Sequence, residues 1–125
     1  LFIEEGTSVR AMQGGVVVLA EDGWDTDDMF STSSFNCGNT VIVYNPETQR
    51  FFRYCHLKEV FVKYGNMILD GRYIGRVGNT GKNASQDGHG GHLHLEINWY
   101  DKERQKMISM SNSALRELIK SIPKD

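Results

Sequence analysis

Residues Gly88–Ile97 read GHGGHLHLEI and hold three of the chain's four histidines. His92 and His94 are separated by one leucine, and Leu95 follows directly. On a helix the two imidazoles would lie about 200° apart, at 3.6 residues per turn. On a strand, side chains alternate between faces. His92, His94 and Glu96 then share one face, and Leu93, Leu95 and Ile97 share the other. The strand reading explains the histidines and the leucines together: the leucine face enters a core, and the histidine face looks toward a cleft or solvent. Neutral imidazole is the commonest metal ligand and also carries protons near neutral pH. The plain alternative is two half-exposed histidines hydrogen-bonded to their neighbours.

The rest of the chain supports a sheet. Its 125 residues suffice for one domain with one core. Thirteen glycines against two prolines punctuate short apolar runs, which predicts many short strands and tight turns. GGVVVLA (Gly14–Ala20) is β-branched and reads as a strand. TVIVY (Thr40–Tyr44) and RFFRY (Arg50–Tyr54) flank a turn begun by Asn45 and Pro46, so they read as a hairpin. From Val60 to Gly81, glycines at short intervals suit bends and bulges in a coiled sheet. His92–Tyr100 is expected to be the last strand. In the tail, SNSALRELIKS (Ser111–Ser121) offers Ser111 or Ser113 as an N-cap, with Leu115, Leu118 and Ile119 at helical spacing.

Other features carry less. A net charge of −2 gives no basic surplus for nucleic acid, and no apolar run has the length of a membrane span. Asp22–Asn36 is acidic, but it lacks the spacing and distal glutamate of an EF-hand loop and reads as a solvated loop. His56 lies in RYCHL; strand alternation would put Tyr54 and His56 together and send Cys55 to the opposite face. Cys37 and Cys55 match no zinc spacing and are expected to remain unbridged thiols. His89, in the loop Lys82–Gly91, is expected to be exposed, with Asp87 beside it as a cleft-lining residue at most.

GHLHLEI closely resembles the His-x-His signature of the LytM-like zinc metallopeptidases, peptidase family M23. Four more blocks resemble the family in order: GTSVRAMQGGVVVLA, CGNTVIVYN, RYCHL and VKYGNMILDGRYIGRVGNTG, so the likeness spans about residues 5–97. It implies a mainly β fold, a compact antiparallel sheet with a groove across one face, to which the sequence adds a short C-terminal helix. It also implies a zinc endopeptidase acting on peptide crosslinks of bacterial peptidoglycan, in the cell envelope or secreted. Carried over by position, His94 is a zinc ligand, and His56 and His92 are catalytic histidines, with His56 lying near the His92–His94 pair across the groove. Two further family ligands come from a His-x-x-x-Asp motif, expected immediately upstream of Leu1. The loop Lys82–Gly91 looks longer than the family's usual link. Residues 1–100 would form the peptidase domain and 101–125 a tail. The alternatives are a non-catalytic LytM-like module that binds peptidoglycan or regulates another wall hydrolase, and a three-histidine zinc site built from His56, His92 and His94.

Overall fold

In the computed structural model, residues 5–23, 37–78 and 93–121 are described. They form eight strands and one helix: β1 (Ser8–Arg10), β2 (Gly15–Glu21), β3 (Asn39–Asn45), β4 (Arg50–Val60), β5 (Met67–Ile68), β6 (Tyr73–Val77), β7 (His94–Asp101), β8 (Lys106–Ser109) and α1 (Asn112–Ser121). All pairings are antiparallel. The mainly β class with a short C-terminal helix is as the sequence predicts. Among the described residues, no helix is long and apolar enough to cross a membrane.

The expected hairpin is β3–β4, closed at Asn45 opposite Arg50. Asn45 builds its turn: its Oδ1 accepts from Thr48 N at 2.9 Å, and its Nδ2 donates to Gly14 O at 2.9 Å. An asparagine that bonds the backbone further along is a turn former for this reason. The sheet runs β1-β6-β4-β3-β2-β5, with β7 pairing β4 and β8. The core is the inward face of this curl: Val17, Val41, Val43, Phe52, Tyr54, Leu57, Ile74, Val77, Leu95 and Ile97. Leu115 and Leu118 of α1 pack against it from outside the sheet. Ser111 is the N-cap, its Oγ accepting from Ala114 N at 3.2 Å.

β4 positions the site. Its Arg50–Cys55 half pairs with β7, and its Leu57–Val60 half pairs with β6. Since β3 occupies the other edge from Arg50 to Leu57, β7 and β6 lie along the same edge of β4, one after the other. The changeover falls at His56, and two irregularities mark it. Tyr54 faces Val41 and Leu57 faces Asn39, so Cys55 and His56 together oppose the single residue Thr40. That is a β-bulge. His56 also has φ +63°, in the left-handed region.

The bulge overturns the alternation expected for RYCHL. Tyr54 and Leu57 both enter the core, three residues apart. Cys55 pairs with His94 and Arg53 with Glu96, so Cys55 shares the histidine face instead of leaving it. The cysteine expectation fails with it: Cys37 and Cys55 are joined in a disulfide, with Cα atoms 4.8 Å apart. Uniform alternation concealed the pairing because it takes no account of an inserted residue.

Candidate functional site

The site is built on two neighbouring strands. On β7, alternation holds as predicted: Leu95 and Ile97 are buried, and His94 and Glu96 share the other face. His94 Nε2 lies 2.9 Å from Glu96 Oε1. The hydrogen bond from His94 is the main reason the Glu96 carboxyl is held below its usual range; burial opposes it, and Arg53 contributes from 3.8 Å. A carboxylate can only accept, so Nε2 carries the proton. On the neutral ring this leaves the lone pair on Nδ1.

On β4, the bulge brings the His56 ring beside His94. The two ring centroids are 5.9 Å apart and the planes meet at 81°, edge to face. His56 is 7% exposed, whereas the His94 side chain is 49% exposed, so one imidazole is enclosed and the other open. The His56 backbone is held on both sides: its N–H donates to Cys37 O at 2.6 Å, and its carbonyl accepts from Gly78 N at 3.0 Å. Next to it, the Leu57 carbonyl accepts from Asn39 Nδ2 at 2.9 Å.

Of the residues singled out from sequence, the fold therefore brings together His56 and His94. His92, His89 and Asp87 lie outside the described residues. The sequence reading missed Arg53, whose place beside Glu96 depends on the β4–β7 register, and the Cys37–Cys55 link, which depends on the bulge.

The donor chemistry of His94 suits a metal. Metal-bound histidines usually pass their second N–H to a carboxylate, which fixes the tautomer. His94 and Glu96 form such a pair. Among the described residues, no cluster of three or more His, Cys, Asp or Glu side chains could hold a metal, so these residues offer one ligand rather than a complete set. A separate concavity of about 570 Å³ lies at the β3–β4 turn, lined by Gln13, Asn45, Glu47, Thr48, Met67 and Asp70. Its polar groups serve the fold: Asp70 Oδ1 accepts from Gly14 N at 2.5 Å, and Thr48 is bonded to Asn45 and Gln13.

The comparisons bear on this arrangement. The model of peptidase family M23 matches residues 1–107. No curated protein matches the chain by sequence. A candidate glycyl-glycine endopeptidase of the LytM type from Ruminococcus gnavus has the same fold, with TM-score 0.69 and 23% identity over 94% of this chain and 43% of that one. The catalytic domain of the antimicrobial peptidase lysostaphin from Staphylococcus simulans is similar, with TM-score 0.62 and 27% identity over 94% of this chain and 74% of that one. A zinc-containing peptidase from Vibrio cholerae shares the fold, with TM-score 0.59 and 23% identity over 83% of this chain and 26% of that one. The chain thus spans less than half the length of two of these three.

Proposed function

We propose, from the premise that the chain belongs to peptidase family M23, that it carries the His-x-His half of a zinc metalloendopeptidase site acting on peptide crosslinks of bacterial peptidoglycan. The observation that carries the reading is the pairing of an enclosed His56 with an open His94 whose Nε2 is committed to Glu96. The likeness to the lysostaphin catalytic domain, itself described as an antimicrobial peptidase, supports it. In this reading residues 1–100 are the peptidase domain, 101–125 a tail, and the protein works in the cell envelope or outside the cell.

Each residue then has a role set by its chemistry. His94 holds the metal through Nδ1, and Glu96 keeps its tautomer fixed. The chemistry that zinc would supply at such a site is Lewis-acid polarisation of the scissile carbonyl and a lowered pKa for the attacking water. His56, enclosed beside His94, is placed to exchange a hydrogen bond or a proton with the reacting oxygen atoms. His92, two residues before His94 in the sequence, would share that work.

The test is made on full-length protein. Substitution His94→Ala should remove the metal. His56→Ala and His92→Ala should keep most of it and lower turnover of peptidoglycan peptides by about 10²–10⁴-fold, the usual worth of a positioned acid–base group. Metal analysis and turnover on the same three variants separate ligand from catalyst. A full-length protein that carries no metal and cuts no peptide would leave the non-catalytic wall-binding module in its place.

A further inference from the structure

We propose that the Cys37–Cys55 disulfide, together with Asn39, is a positioning clamp for His56, holding the bulge that turns its ring toward His94. The proposal rests on the reading of His56 as a catalytic group. It concerns residues that touch neither substrate nor metal.

A left-handed backbone at a residue with a Cβ is strained. It persists where the surroundings over-determine it, and such residues cluster at functional sites. At His56, with φ +63°, the surroundings are specific. Three consecutive residues are each tied to the start of β3. Cys55 is covalently bonded to Cys37. His56 N donates to Cys37 O at 2.6 Å. Leu57 O accepts from Asn39 Nδ2 at 2.9 Å, and Asn39 is buried. Thr40, the residue opposite the bulge, is fully buried, and its Oγ1 donates to Gly38 O at 2.9 Å, which fixes the turn between Cys37 and Asn39.

The register shows what the clamp prevents. Without the bulge, β4 would alternate evenly beyond Tyr54, and His56 would fall on the Tyr54 face, toward the core and away from His94. Burial of Leu57 in the core also needs the bulged register, so packing favours the bulge from one side and the crosslink holds it from the other. The crosslink acts at the insertion itself, because it ties the residue before His56 to Cys37, whose carbonyl takes the His56 N–H. Its position also argues against a purely global staple: the bond joins the residue preceding His56 to the residue whose carbonyl His56 uses.

The experiment uses full-length protein labelled at histidine, with two variants: the pair Cys37→Ala/Cys55→Ala, and Asn39→Ala with the disulfide intact. The first readout is the nuclear Overhauser contact between the His56 and His94 rings. It should be present in the parent, lost in the cysteine pair and weakened in Asn39→Ala. A folded cysteine variant that keeps the contact at full strength overturns the proposal. The second readout is turnover. The cysteine pair should lower kcat by about 10²-fold, the scale for misplacing a catalytic group by an ångström, with KM little changed. Added to His56→Ala, it should lower kcat no further, because it acts through that ring. Equal loss in both backgrounds overturns the proposal. If the cysteine pair does not fold, Asn39→Ala decides: unchanged ring contact and unchanged kcat overturn the clamp. A parent that cuts no peptide defeats the proposed function instead, and the ring contact still decides the clamp.

Discussion

At the scale of single residues, the placement of one proton on His94 matters most. Because Glu96 is ionised and can only accept, Nε2 holds the hydrogen, and in the proposed reading Nδ1 is the ligand atom. Glu96→Gln keeps the shape and removes the charge that commits the tautomer. Metal affinity of the full-length protein should fall about 10–100-fold, the usual cost of losing such a partner. Chelator competition measures this; unchanged affinity would show that Glu96 does not orient the ligand. This pair was readable in HLHLE, since alternation alone sets His94 beside Glu96. Tyr54 was readable only as apolar. Its phenol is buried, and its oxygen accepts from Met12 N at 3.0 Å. Burial raises its pKa well above the ordinary 10.0, only partly offset by that bond. The fold therefore keeps the phenol neutral, while the unfolded chain releases the proton once pH passes 10.0. Stability contributed by Tyr54 is complete below that pH and declines as pH rises further. Urea midpoints measured on either side of it should show the decline in the parent and a shallower one in Tyr54→Phe. That variant should also lose about 1 kcal/mol at neutral pH, through the orphaned Met12 N–H.

At the scale of elements, patterns legible in sequence were those with one period throughout. The β3–β4 hairpin, the strand β7 and the capped helix α1 each follow a single repeat, and each lies close to where it was expected. β8 escaped notice because KMIS is short and three of its four residues are exposed. The main error fell at His56, where an inserted residue changes the phase of β4. No residue type announces a bulge there. The nearest signal is Gly78, in a glycine-rich stretch that reads only as bends. Its N–H bonds His56 O, and a Cβ on it would collide with the backbone of Leu57 and Lys58. Glycine is needed so that the end of β6 can close against β4 just past the bulge. Gly78→Ala should cost about 1–3 kcal/mol, as overpacking against backbone does. It should also lower turnover by more than its effect on the folded fraction explains, because the displaced carbonyl partner belongs to His56. Thermal unfolding and kcat measured together test both parts.

At the scale of the whole molecule, the order of the blocks was legible, and the covalent bond linking two of them was not. Cysteine spacing cannot report which strands become neighbours, and the pairing depends on a register that the bulge resets. The bond closes a loop of sequence separation 18 between strands that already pair side by side. Closing a loop of that length removes unfolded-chain entropy worth about 3 kcal/mol at room temperature. The entropic account makes two separable claims. Reduction, or Cys37→Ala/Cys55→Ala, should lower the melting temperature by roughly 10 °C, from about 3 kcal/mol and the shift per kcal/mol usual for a domain of this size. It should also steepen the dependence of stability on urea, because an uncrosslinked chain exposes more surface when it unfolds. A lower midpoint with an unchanged slope would place the effect in the native state instead, in the strands around His56. In that case the disulfide would act chiefly on the geometry of the site and little on the chain's freedom when unfolded.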